Sequence, residues 1–78
     1  MINGIYARMQ NAQARYGLFA STHEALGVAC EEWDELRAAV QANDLQAIEH
    51  EALDLAAVCL RLAQACRDGG DFAKRSVK

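Results

Sequence analysis

Two acidic phrases hold the chemistry this sequence can do. Glu31-Glu32-Trp33-Asp34-Glu35 and, further on, Glu51-Ala52-Leu53-Asp54 each set carboxylates at i and i+3, Glu32 with Glu35 and Glu51 with Asp54. Residues three apart on a helix share a face, so each phrase offers two carboxylates in one direction. If the two helices pair antiparallel, four carboxylates converge. Such a cluster repels itself unless it is protonated or neutralised by a cation. All-oxygen donors suit Mg²⁺, Mn²⁺ or Ca²⁺ rather than zinc. The chemistry expected of these residues is metal-dependent and directed at phosphates.

The elements that must position these acids are helices. Ile5, Met9, Ala12 and Tyr16 recur at i, i+4, i+7 and i+11, which predicts a first helix over about residues 3–16 with Gly17 as its stop. Ser21 with Glu24 three residues on forms a capping box. It opens a second helix over 22–42, with Leu26, Ala29, Cys30, Trp33, Arg37 and Val40 along one side. Asn43-Asp44 is a turn and cap signal, with Asn43 and Gln46 as a second capping box. A third helix is expected over 45–67, ended by Gly69-Gly70, with a tail over 71–78 holding Lys74, Arg75 and Lys78. A tight link between two long helices predicts an antiparallel hairpin. The fold expected is all-α, one domain over 1–78: a helical hairpin plus an N-terminal helix.

Angular position, at roughly 100° per residue, separates unusual acids from ordinary ones. Ile48, Leu55, Val58, Cys59 and Leu62 make a broad apolar sector on the third helix, and Glu51 falls inside it. An ionised carboxylate there is unfavourable unless it is paired or bound to a metal. Asp54 lies at the sector's edge. On the second helix Glu32 borders the apolar side near Ala29 and Leu36, with Glu35 beyond it. The plainer reading of such acids is a solvated face of an amphipathic helix, and it suits Asp34, Asp44 and Glu49. It does not suit Glu51.

Composition narrows the classes. The chain has 78 residues, no proline and a formal charge of −3, with a pI near 5.2. A core of this size is marginal without staples or oligomerisation. The charge offers no basic footprint for nucleic acid. Cys30, Cys59 and Cys66 are odd in number and lack C-x-x-C spacing, which reads as free buried thiols rather than a zinc site or disulfide framework. No stretch has the length and apolarity of a membrane span and no signal-peptide pattern is present, so a soluble cytoplasmic protein is expected.

The pattern E-E-x-x-E followed by E-x-x-D on the next helix resembles the all-α nucleoside triphosphate pyrophosphohydrolases. This superfamily holds the MazG-like proteins, the dimeric dUTPases and the phosphoribosyl-ATP pyrophosphatases. Glu31, Glu32 and Glu35, then Glu51 and Asp54, carry the match. The phrase Arg15-Tyr16-Gly17, then Ser21-Thr22-His23-Glu24-Ala25, also looks like small MazG-like proteins. The likeness extends over roughly residues 13–66.

The resemblance implies Mg²⁺-dependent hydrolysis of a nucleoside triphosphate to the monophosphate and pyrophosphate, with Mn²⁺ as a substitute ion. It implies Glu32, Glu35, Glu51 and Asp54 as metal ligands and Glu31 as a supporting acid or orienter of the attacking water. It also implies a homodimer or homotetramer of four-helix-bundle type. Arg61 and Lys74 are candidate phosphate contacts, and Tyr16 and Phe19 flank a glycine where they can line a base pocket. Trp33 is assigned to packing, and His23 and His50 to a first-turn and an outer-face position rather than to a general base. Two rivals stand beside this reading: a phosphoribosyl-ATP pyrophosphatase-like enzyme, and a non-catalytic helical interaction module.

Overall fold

Serine at position 21 and aspartate at position 44 set where the two long helices begin. In the computed structural model, which describes residues 1–68, the elements are α1 (Ile2–Tyr16), α2 (Thr22–Ala42) and α3 (Leu45–Arg67). No strand occurs among the described residues, so the all-α expectation holds for them. The expected bounds of the second and third helices agree with those observed, and α1 begins one residue earlier than expected. The Gly69-Gly70 stop and the 71–78 tail, with Lys74, Arg75 and Lys78, lie outside the described residues.

The caps depart from the expected boxes in detail. Ser21 Oγ accepts from the Glu24 amide at 3.1 Å, satisfying one free donor of the first turn. The Glu24 carboxylate reaches back one residue past the cap, to the Ala20 amide. The α2–α3 turn uses the two residues differently from the Asn43–Gln46 box. Asn43 takes a left-handed conformation (φ 57°) that closes α2, a role its short polar side chain tolerates. Asp44 is the cap of α3, accepting from the Ala47 amide at 3.1 Å. Gly17 ends α1 at φ 78°, a backbone region that favours glycine.

The direction of each helix follows from which residues meet. Ala25 packs with Val58 and Phe19, whereas Glu32 and Glu35, further along α2, meet Glu51, earlier on α3. Advancing along α2 therefore means retreating along α3, and the hairpin is antiparallel. Arg8 reaches Asp54 and Arg61 reaches Gly17 at the end of α1, so α1 runs in the same direction as α3. Among the described residues α1 packs on α3 and not on α2, which leaves a cleft between α1 and α2 with α3 as its floor.

The face α2 buries is not the one its large side chains suggest. Ala25 and Ala39 are buried, and Val28, Ala29, Glu32 and Leu36 are partly buried. Leu26, Trp33 and Val40, expected on the core stripe, are 62%, 50% and 53% exposed. Small alanines let two helix backbones approach closely, and the bulky stripe is turned outward. The thiols expected to be buried, Cys30, Cys59 and Cys66, are free and exposed. On α1, Met9 is buried while Tyr16, the last residue of its stripe, lies open to solvent.

Candidate metal centre

Glu32 comes from the inner face of α2, one helical turn past Ala29. Glu35 follows one turn later at the edge of that face, and Glu51 projects from α3 into the same space. One carboxylate oxygen from each of the three lies within 4.8 Å of the other two. Glu32 Oε1 and Glu51 Oε1 are shut off from solvent with no hydrogen-bond partner among the described residues. Buried acceptors in native structures are nearly always satisfied, so unpaired oxygens on two of the three acids suit a cation, a proton or a water.

The electrostatics agree with that geometry. Burial, followed by the charges of Glu35, Asp54 and Glu51, pushes the Glu32 carboxyl from its ordinary 4.5 up to about 7. Burial and the charge of Glu35 likewise raise Glu51. Burial disfavours the charged form, and close carboxylates that cannot all ionise add to it. A divalent cation relieves it, and the all-oxygen donor set fits Mg²⁺ or Mn²⁺. Glu32, Glu35 and Glu51 would hold the ion.

Asp54, the fourth expected ligand, is near this trio but already engaged. Arg8 Nε donates to its Oδ1 at 2.9 Å, and His50 Nε2 lies 3.4 Å from its Oδ2. Asp54 also forms a second group with His50 and Glu51, their ligand atoms again within 4.8 Å. Glu51 belongs to both groups and joins them. His50, read as an outer-face residue, is exposed yet in contact with the site.

The cleft beside the acids is half open to solvent and has a volume of about 840 Å³, in the range of small-molecule sites. Glu31, Glu32 and Asp54 reach it from the hairpin, and Arg8, Asn11 and Arg15 reach it from α1. Tyr16 and Phe19 both border it, but they differ in role. Tyr16 is exposed, with the Arg15 guanidinium 5.9 Å from its ring centre. Phe19 is buried in the core, so it supports the wall rather than forming a free stacking surface. Trp33, assigned to packing within the chain, is half exposed instead.

Arg61 is neither a solvated charge nor a free phosphate donor. It is 6% exposed, lies 4.0 Å above the Phe19 ring and donates from Nη2 to the Gly17 carbonyl at 3.0 Å. Burial lowers its pKa below the ordinary guanidinium value, and its Nε has no partner among the described residues. The guanidinium fixes the end of α1 to α3 and borders the cleft while doing so. Lys74 lies outside the described residues.

The α1 residues Arg8, Asn11 and Arg15 were not anticipated. A signal for them exists: Arg8 and Arg15 are seven apart with Asn11 between, a polar stripe beside the apolar one. Compared with protein-family models, curated proteins and solved structures, the chain matches none.

Proposed function

We propose that this chain is a Mg²⁺-dependent nucleoside triphosphate pyrophosphohydrolase of the MazG-like type, releasing pyrophosphate and the nucleoside monophosphate. The observation that carries the reading is the meeting of Glu32, Glu35 and Glu51, with two orphaned buried oxygens, at the edge of a cleft walled by arginines. Acids on one wall and guanidinium groups on the other suit a ligand whose anionic part is held by a cation and by charged donors. The bound ion would neutralise phosphate charge and lower the pKa of the attacking water.

The protein's own groups have distinct tasks in this scheme. Glu32, Glu35 and Glu51 fix the ion, and Glu31, exposed beside the cleft, orients the water. Arg15 and Tyr16 at the outer edge serve the part of the substrate remote from the cut. The role first given to Arg61 becomes a structural one, holding the wall against which the substrate lies.

A second copy of the chain completes the fold in this reading. Leu26, Cys30, Trp33 and Val40 form an exposed stripe on one side of α2, and no large side chain among the described residues is fully buried. A homodimer or homotetramer of four-helix-bundle type covers such a stripe with its own equivalent. The same stripe is what the non-catalytic interaction module would use.

The experiment that separates the two is pyrophosphate release from a panel of canonical and modified NTPs and dNTPs, with Mg²⁺ and then with EDTA. Metal-dependent release that disappears in Glu51→Gln, at unchanged helix content, is the expected result. Equal turnover in that variant would remove the acids from the reaction, and no release by folded wild-type protein would leave the interaction module.

A further inference from the structure

The acid cluster already has one internal cation, and it sits on the wrong acid for a four-carboxylate site. Arg8 Nε donates to Asp54 Oδ1 at 2.9 Å, its Nη2 lies 3.2 Å from His50 Nδ1, and its Nη1 donates weakly to the Gly4 carbonyl at 3.4 Å. His50 Nε2 lies 3.4 Å from Asp54 Oδ2, a charge contact rather than a hydrogen bond. Arg8 and His50 thus flank the two oxygens of Asp54. Glu51, next along α3, is shared by the Asp54 group and the Glu32–Glu35 group. Asp54 thus adjoins the trio through Glu51 while Arg8 occupies its Oδ1.

We propose that Arg8 is an exchangeable counter-ion: it holds Asp54 in the metal-free protein, gives it up when a divalent cation binds, and turns its guanidinium to phosphate in the cleft. The inference rests on the metal reading above and adds the regulation of that site. Three features support it. The Arg8 and Asp54 side chains are each only 28% exposed, so the pair is formed, yet solvent reaches both. A pair with that access is weak, and a divalent cation among carboxylates outweighs it. Arg8 also borders the cleft itself, so its freed fork meets any anion bound there without movement of α1. Cation and phosphate then help one another bind, because each favours the arrangement in which Arg8 has left Asp54.

The test is a titration of the ¹⁵N-labelled full chain with Mg²⁺, following the arginine Nε–H resonances, assigned by comparison with Arg8→Lys. The expected result is a protected Arg8 Nε–H in EDTA that shifts and loses protection on Mg²⁺ addition, then regains protection with inorganic phosphate. In parallel, Arg8→Gln binds Mg²⁺ about fivefold more tightly and loses the response to phosphate. An Arg8 Nε–H unmoved while Mg²⁺ shifts the Glu32, Glu35 and Glu51 amides would overturn the exchange and leave the metal site standing. Weaker Mg²⁺ binding in Arg8→Gln would also overturn it, making Arg8 an orienter of Asp54. An Nε–H that shifts with Mg²⁺ but ignores phosphate would sink the second half of the proposal. No Mg²⁺-dependent change at any of those amides would remove the metal reading itself, and the exchange with it.

Discussion

Replacing Glu32 with glutamine keeps the side chain's shape and removes one charge from a place where charge is unwelcome. In the wild-type chain the carboxyl is raised from 4.5 to about 7 by burial and by three neighbouring acids. Below pH about 4.5 it is protonated in both the folded and the unfolded chain, and no penalty is felt. Between about 4.5 and 7 the unfolded chain ionises while the folded chain still holds the proton, so stability falls as pH rises. Above about 7 both are ionised and the full penalty is present. The displacement corresponds to at most about 3 kcal/mol, and solvent at the edge of the site reduces it to about half. Glu32→Gln should therefore stabilise the metal-free protein by about 1 to 2 kcal/mol at pH 8 and by far less at pH 5.

Urea unfolding of wild type and variant at those two pH values, in EDTA and at one fixed protein concentration, measures this directly. Adding Mg²⁺ at pH 8 should raise the wild type to or above the variant and leave the variant unmoved, because only the wild type keeps the full donor set. A variant no more stable than wild type at pH 8 would mean that the Glu32 carboxylate is solvated and relaxed. The orphaned oxygen and the raised pKa would then have no physical consequence, and the case for a cation there would collapse. A gain that is the same at pH 5 and pH 8 would also count against it, since that would trace to packing rather than to charge.

Two further outcomes follow from the packing. Arg61→Met keeps the bulk over Phe19 but loses the bond to the Gly17 carbonyl and the cation–ring contact, and should cost about 2 kcal/mol in urea unfolding. Trp33→Glu places a charge in the middle of the exposed stripe of α2; if that stripe is the proposed contact between copies, analytical ultracentrifugation should show a dimer or tetramer for the wild type and a monomer for the variant, with little change in helix content.

The elements were legible in the sequence because their signals are local. Ser21 and Asp44 cap, Gly17 stops, and the alternation of apolar and polar residues has a helical period over long windows. Glu51 was legible too, since a lone acid among Leu55, Val58 and Leu62 has few structural reasons to be there. What escaped was everything set by pairing between helices. Arg8 and Asp54 are far apart in sequence, and nothing in the local pattern of either says they meet. Arg61 read as a candidate phosphate contact on the side of α3 that carries Asp54; only the turn at Gly17, which brings Phe19 beneath it, shows that it is buried. The thiols misled for a similar reason: an apolar stripe predicts burial against something, and among the described residues nothing covers them.

The outward turn of Trp33 and the inward turn of Glu32 on α2 have one geometric cause. Neighbouring residues on a helix point about 100° apart, so α2 cannot bury both Glu32 and the large ring beside it. A lone chain choosing only by hydrophobic area would turn Trp33 inward and leave Glu32 in solvent, where its pKa would be ordinary and no cluster would form. The observed rotation does the reverse: Ala25, Ala29 and Ala39 take the inner face, Glu32 meets Glu51, and Trp33 is left half exposed. Fully burying a large apolar side chain is worth about 2 to 3 kcal/mol, so the rotation forgoes that gain within the chain. In the proposed assembly a second copy packed on the Leu26–Trp33–Val40 stripe would return it. The acid cluster itself needs no partner, since Glu32, Glu35 and Glu51 meet within one chain: a variant that dissociates the assembly should leave Trp33 in water and keep the high pKa at Glu32.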